Sequence, residues 1–507
     1  MPTKQYIKKL NGYFVKDEDA RQQIVDGDRL RIKKFENVAT MKADQSLAAG
    51  ERVRTAGYYQ ANDGGAGEYL IVESEAADNA GTILVLENDL RAELIGPDNV
   101  NQFGAYGDGL HDDTDAIQRA FNSDKVKTLN FLAESTYLIS DAVTLTNKIF
   151  LKGNKAVIKS NHADAKIVIA GNGLESYQAA EYLYFDGDFK SAIGIEVSGC
   201  RSWRASQIYV RNVCEKGIYV HEDPVTGFGS LRLDGFSIEN VIENNDQYEA
   251  CADSIGLDIE NTDCEITNGN IKEFKKAIKC QSSTLVSGVH AWNYRDEFVA
   301  DSIMIDAYGG LRVINSYCDG LPIFVKQNMD SVYTNTNIIN CIYNYAISQQ
   351  VTAHPYVVYK GEHDHVNMTD CSIDMSYSDG TTSTWPVANT FENVYQKNNF
   401  VVRGYFENFY KGTLTDENIG TLYYERVNDV VYFIFEGSGN ASSNASFADR
   451  IPTWARPSEN IRLVLTTVEG VYPRFTISKD GEVMLITKAA WANGSASYPA
   501  RYDLQKI

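Results

Sequence analysis

After about residue 126 the chain is written in short apolar, polar, apolar units. Val, Ile, Leu or an aromatic alternates with a polar residue, and Gly, Asn or Asp ends each run. Alternation at period two sends successive side chains to opposite faces of an extended strand, so the pattern predicts short strands with one buried face. Six such units open at Ile195, Ile218, Leu257, Ile278, Ile303 and Ile323, at spacings of 23, 39, 21, 25 and 20 residues. Four spacings suit one turn of a solenoid, and the long one suits a turn carrying insertions. Further strands fall inside these turns at Gln207-Ile208-Tyr209-Val210, Gly235-Phe236-Ser237-Ile238, Cys264-Glu265-Ile266 and Leu311-Arg312-Val313-Ile314. The expected fold class is all-β, with a parallel β-helix over residues 126–410.

Helix signals are few. Asp17 to Val25 is one short candidate, and Asp112 to Phe121 is a stronger one, with acidic capping residues ahead of an apolar face at Ile117, Ala120 and Phe121. From about residue 411 the strands lengthen, at Val430 to Phe435, Ile461 to Leu465, Phe475 to Ile477 and Val483 to Ile486, with a hairpin signal at Asp480-Gly481. That stretch, 411–507, predicts an antiparallel β-sandwich.

Charge changes the picture of partners. The 507 residues carry 47 basic and 68 acidic side chains, a net charge of −21, which argues against nucleic acid because a phosphate backbone calls for clustered positive charge. No apolar run reaches the ~20 residues of a membrane span, and the N-terminus lacks the apolar stretch of a secretory leader, so no membrane association is expected. The eight cysteines lie between Cys200 and Cys371 without metal-ligand spacing, and read as free, mostly buried thiols. His363-Asp364-His365 lacks a third ligand, and helix capping accounts for Asp112-Asp113-Thr114-Asp115, so neither a metal nor a cofactor is expected. No P-loop, GxSxG, HExxH or EF-hand pattern occurs.

The run Phe103-Gly104-Ala105-Tyr106-Gly107-Asp108-Gly109-Leu110-His111-Asp112-Asp113-Thr114-Asp115-Ala116-Ile117 resembles the opening turn and helix of the pectate-lyase-like β-helix superfamily, bacteriophage tailspikes especially. Upstream, Gly57 to Ile71 looks like the small β domain that precedes it in phage proteins. Downstream, Val289-His290-Ala291-Trp292-Asn293 followed by Asn315-Ser316-Tyr317-Cys318-Asp319 is similar to a pairing seen in phage and prophage members. Ile451 to Pro457 resembles a motif of C-terminal receptor-binding or trimer-capping domains. The resemblance implies a right-handed parallel β-helix and a homotrimer. It divides the chain into a virion-attachment segment (1–40), a small β domain (41–100), an opening turn and capping helix (101–125), the β-helix (126–410) and the C-terminal sandwich (411–507).

Candidate chemistry follows from the outward column of the predicted ladder: Glu196, Tyr219 with His221, Asp258 with Glu260, Lys279 with Gln281, Met304 with Asp306, and Phe324 with Lys326. Aromatics stack on sugar faces, and two carboxylates suit glycosidic cleavage, one as acid and one as base or nucleophile. Asp258, Glu260 and Asp306 are the candidate catalytic acids, with Glu260 and Asp306 expected in one column two coils apart, against the plain alternative of a solvated acidic face. Tyr219, His221, Lys279, His290, Trp292 and Asn293 are the candidate substrate contacts, although Trp292 and Asn293 could equally fill a corner and a turn. The segments 221–229 and 243–253, flanking one strand, read as loops that could wall a groove or as tolerated insertions.

The function this implies is a phage tailspike that binds and depolymerises a bacterial surface polymer, whether capsular polysaccharide, exopolysaccharide or wall teichoic acid, with hydrolysis favoured over elimination. The expected partners are that polymer and, through the N-terminus, phage tail or collar proteins. The expected location is the virion tail after assembly in the host cytoplasm. The alternatives are a non-catalytic receptor-binding spike on the same scaffold and a calcium-dependent polysaccharide lyase. The lyase is disfavoured because the basic residues of the predicted column are lysines rather than the arginine base of that class.

Overall fold

The computed structural model describes residues 7–10, 13–15, 32–221, 230–260, 263–293, 302–328, 335–347, 356–360, 365–377, 394–397, 400–403, 411–416, 420–427, 430–437, 445–451, 461–464, 474–480, 482–485 and 496–503. The helix expected at 17–25, most of the loop 221–229, His363-Asp364 and the motif residues 452–457 lie outside the described residues. Residues 1–298 with 302–309 form one unit, and 299–301 with 310–507 a second.

The first unit opens with a five-stranded sheet. Arg52–Thr55, Gly67–Val72, Arg91–Leu94 and Ile83–Val85 pair antiparallel in that order, and Lys33–Phe35 adds a parallel edge to Arg52–Thr55. Alternation buries Val53, Tyr69, Ile71, Leu84, Ala92 and Leu94 against Val38 and Met41 of the helix Val38–Lys42. Asn37 starts that helix with a reciprocal capping box to Thr40.

The helix expected after the glycine-rich turn is present at Thr114–Phe121 and buries Ala116, Ile117, Ala120 and Phe121. Its acids work differently from expectation. Asp113 makes no side-chain cap. Its buried carboxylate instead accepts the backbone N–H of Tyr106 at 2.6 Å and of Gly107 at 3.1 Å, tying the glycine turn to the helix start. Asp112 takes over at the helix start, accepting from Thr114 N at 2.9 Å.

Three parallel ladders follow, which is the geometry of a β-helix. In the first, Val143, Ile167, Ile195, Ile218, Leu257, Ile278 and Ile305 occupy one column, all essentially inaccessible. The second stacks Leu129, Leu151, Ala180, Ala205, Leu233, Ile266 and Val286. The third stacks Tyr137, Ile158, Phe185, Val210, Ile238, Ile271 and Ala291. Each large apolar side chain so buried contributes roughly 1.5–3 kcal/mol, so these columns dominate the energetics of the unit. Between the second and third ladders the chain bends at Gln207, Gly235, Asn268 and Gly288, all with positive φ and all at one register position. One left-handed residue per coil turns the strand without ending its pairing.

Register corrects one step of the repeat. Ile278 faces Ile305 rather than Ile303, because the strand begins at Lys276, which faces Ile303. Met304 therefore falls in the small-residue column of Gly217, Gly256 and Ala277 and is buried, not outward. The segment 243–253 is also not a plain loop: Asn244 caps a helix, Asn245–Cys251, whose Cys251 is buried beside Ile242.

The second unit carries its own parallel ladders. Leu311–Ile314, Asn335–Ile339, His365–Thr369 and Val394–Lys397 pair in one, and Tyr317–Asp319, Ile342–Ile347, Ser372–Tyr377 and Phe400–Arg403 in another. Asn315, Asn340 and Asp370 hold the left-handed bend between them, and the Asn340 amide donates to the Asn315 oxygen at 2.7 Å. Phe324, expected to point outward, is buried against Tyr343. Beyond residue 410 the strands are antiparallel, in two sheets of four: Lys411–Asp416, Gly420–Val427, Val430–Gly437 and Ala496–Asp503, then Ala445–Ser446, Val483–Leu485, Arg474–Ile477 and Ile461–Val464.

Candidate functional site

The first ladder places Glu196, Tyr219, Asp258, Lys279 and Asp306 in one column, one residue per coil. A coil is about 4.8 Å high, so Asp258 and Asp306 stand about 10 Å apart at Cα with Lys279 between them. The acid expected to share a column with Asp306 was Glu260; the two-residue shift at Ile305 gives that place to Asp258 instead.

From Asp258 onward the charge alternates along the column. Asp258, fully buried, lies 2.7 Å from Lys216 Nζ and 3.2 Å from Lys279 Nζ. Neither contact has hydrogen-bond alignment, so charge rather than directed bonding holds this carboxylate. Asp306, equally buried, accepts from Lys276 Nζ at 2.5 Å. Glu196 accepts from Lys166 at 2.5 Å and lies 3.0 Å from His221 Nε2. Burial alone would raise the Glu196 carboxyl, but Lys166 and His221 outweigh it and hold it below its ordinary value.

The rings sit over this ladder. Tyr219 and His221 stack with centroids 4.5 Å apart, and Lys216 Nζ lies 3.4 Å from the Tyr219 centroid. The Tyr219 hydroxyl is pushed up to about 12, first by burial and then by the charge and hydrogen bond of Glu260. Glu260 itself is half-buried, and of the three acids singled out in the sequence it is the one that solvent reaches.

The remaining candidates are elsewhere. His290 and Trp292 stack at 4.2 Å, but on the third ladder, in register with Asn270 and Lys272. Asn293 is buried, its amide donates to Phe274 O at 3.0 Å and its oxygen accepts from Phe274 N at 3.3 Å, so it ties its turn to the backbone of the neighbouring coil. Asn240 does the same for Val213.

Lys166, Lys216 and Lys276 were not singled out in the sequence, yet they supply the counter-charge. The signal was there: Lys216-Gly217-Ile218 and Lys276-Ala277-Ile278 repeat a lysine two residues before the core isoleucine. Chemically, the face offers half-buried ammonium groups, a Tyr and a His ring, and the half-buried carboxylates of Glu196 and Glu260, a set suited to hydroxyl-rich or anionic ligands. Among the described residues no three His, Cys, Asp or Glu side chains converge as a metal site would require.

Residues 34–101 match the model of the phage tail protein small four-stranded β-sheet domain, and residues 98–175 match rhamnogalacturonase A/epimerase, pectate lyase-like. The four antiparallel strands and the first coils coincide with these segments. No curated protein matches the chain in sequence. Among solved structures, the chain is similar to ORF18 of Geobacillus virus E2, at 14% identity over 90% of this chain and 99% of that one, with TM-score 0.44. It is similar to the tailspike protein of Acinetobacter phage vB_ApiP_P1, at 10% identity over 92% and 97%, TM-score 0.49. It is also similar to the tailspike protein gp49 of Acinetobacter baumannii bacteriophage Fri1, described as a capsular polysaccharide depolymerase, at 9% identity over 89% and 97%, TM-score 0.44. The chain thus carries a segment matching a phage-tail β-sheet domain, followed directly by one matching a pectate-lyase-like model in which its parallel β-helix opens.

Proposed function

We propose that this protein is a tailspike that binds a bacterial surface polymer and cleaves it during adsorption. The observation that carries the reading is the direct junction, at residues 98–101, of a phage-tail domain with a β-helix whose outer faces interleave rings, ammonium groups and carboxylates. Such a face meets a polysaccharide chain in the way sugars are bound, rings by stacking and hydroxyls by charge-assisted hydrogen bonds. Attachment to tail or collar proteins is assigned to residues 1–40, and homotrimer capping or receptor binding to 411–507, on position and resemblance.

For cleavage, Glu260 is the acid of choice on the first ladder, because Asp258 and Asp306 are buried under lysines and ion-paired with them. That same burial favours a second reading, a binding-only spike, since a glycosidase needs two carboxylates at the scissile bond. The deciding experiment incubates the purified protein with isolated capsule and wall teichoic acid and follows fragment release by chromatography, beside Glu260→Gln. Fragments lost in the variant support a depolymerase on this face. Retention of polymer without fragments leaves the binding-only spike.

A further inference from the structure

We propose that the outer face of the third ladder carries a separate glycan-binding groove, in which pyranose rings stack on Tyr184 and Tyr209. The proposal deepens the reading of the protein as a polymer binder and rests on it.

Register builds the groove from two adjacent rows. Val157, Tyr184, Tyr209, Ser237, Asn270 and His290 follow one another coil by coil. Two residues further along each strand run Lys159, Asp186, Arg211, Glu239, Lys272 and Trp292. The residues between them, Ile158, Phe185, Val210, Ile238, Ile271 and Ala291, point inward, so both rows face out.

A cavity of about 250 Å³ opens on this face, lined by Tyr184 and Tyr209 with Asp186, Arg211, Glu239 and Lys155 around them. The two rings lie 4.2 Å apart between centroids with a tilt of 52°, both half-buried, and leave ring surface toward the cavity. Asp186 is held in place: its buried carboxylate accepts from Arg211 at 2.8 Å and from the Asn212 amide at 3.1 Å. Apolar ring faces beside a few fixed charges make a small-ligand site rather than a surface patch. A sugar offers the complementary surface, with a C–H face for the rings and hydroxyls for the guanidinium and the carboxylates.

The rows also give a direction. His290 and Trp292 stand three coils beyond Tyr209 and Arg211, about 14 Å along the axis at ~4.8 Å per coil. A chain lying parallel to the axis would meet the tyrosine pair at one end and the stacked His290 and Trp292 rings at the other. Long oligosaccharides then gain a contact that short ones lack.

The test uses the full chain and three defined hexasaccharides with their disaccharides: cellohexaose, chitohexaose and hexagalacturonate. Each is titrated to about 10 mM, where a ligand held by only ~3 kcal/mol is half bound, and binding is read by calorimetry and ligand-observed NMR. At least one hexasaccharide binds, about tenfold more weakly to Tyr184→Ala or Tyr209→Ala, while Tyr184→Phe and Tyr209→Phe keep most affinity because the ring survives. Trp292→Ala weakens the hexasaccharide but not its disaccharide, and Lys125→Gln, at a surface lysine paired with Glu93 ahead of the coils, changes neither. Binding that ignores the two tyrosines, or falls as much in Lys125→Gln, overturns the groove and leaves polymer binding standing. Binding of no hexasaccharide also overturns it, while capsule and teichoic acid retention by the same protein judges the broader reading independently. The phenylalanine variants separate loss of stacking from misfolding.

Discussion

Asp258 and Asp306 occupy one column two coils apart, and Lys279 stands between them in register. Both carboxylates are inaccessible, and each has a lysine from the preceding coil against it. A buried charge without its partner is far costlier than the intact pair is stabilising. The double variant Lys216→Met, Lys279→Met should therefore lose about 3–5 kcal/mol of stability, because it strands Asp258. Adding Asp258→Asn to it should restore most of that loss. Urea unfolding of the three proteins measures both steps; a double variant as stable as the parent would show that Asp258 is held by something other than the two lysines.

Much of the coil architecture was legible because core residues alternate with polar ones and Gly, Asn and Asp recur at the bends. Ile195, Ile218, Leu257 and Ile278 are found in the column where their spacing put them. The step to Ile305 was misplaced because Ile303-Met304-Ile305 has apolar residues at all three positions, so the sequence offers no phase, and only pairing with Lys276 to Cys280 fixes it. The site was less legible for a related reason. Asp258 reads as outward by alternation, and it is, but the long side chains of Lys216 and Lys279 close over it. The Tyr184 and Tyr209 groove went unseen because the two rings lie 25 residues apart on separate coils, with no local motif joining them.

Acid should loosen the N-terminal sheet and turn first. Lys33 and Ser46 bring Asp44 down to about 2, and the backbone N–H of His111, with Leu110 and the His111 ring, brings Asp108 to about 2. For Asp63, burial works upward, but four backbone N–H groups from Tyr58, Tyr59, Gln60 and Gly65 outweigh it. All three folded values lie below the ordinary 3.8, so the stabilisation is present above that value and drains as pH falls from about 4 toward 2. Asp113 acts in the opposite sense, because burial raises it, and its protonation on acidification relieves a cost. Thermal unfolding between pH 2 and 6 should show the loss, and Asp108→Asn should flatten it. An unchanged slope in that variant would count against Asp108 as a contributor.

The thiols should be nearly silent in the native protein. All eight cysteines are free and seven are buried, with burial pushing Cys200 and Cys280 up to about 12. Cys214, half-buried and lowered by the hydrogen bond from Cys251, is the accessible one. Titration with a chromogenic disulfide at pH 8 should register at most one fast thiol, assigned to Cys214 by its loss in Cys214→Ser, and all eight after denaturation. Several fast thiols in the native state would mean that the coils open readily.

The sharpest test of the coil geometry lies at Gly288, one of the four left-handed bend residues of the first unit. Its φ is +64°, and an added Cβ would lie 3.0 Å from the Asn268 side-chain oxygen, itself at a left-handed position one coil away. A left-handed backbone costs an ordinary L-residue about 1–2 kcal/mol and a β-branched one more, whereas Asn tolerates it. Gly288→Val should therefore destabilise by about 2 kcal/mol or more, Gly288→Ala by about 1, and Gly288→Asn by least of the three, a ranking set by backbone conformation rather than by side-chain volume. Alanine is smaller than asparagine, so a purely steric site would reverse the last two. Denaturant midpoints for the three variants read the order directly, and Asn falling below Ala would place the limit at the Asn268 contact instead of the bend.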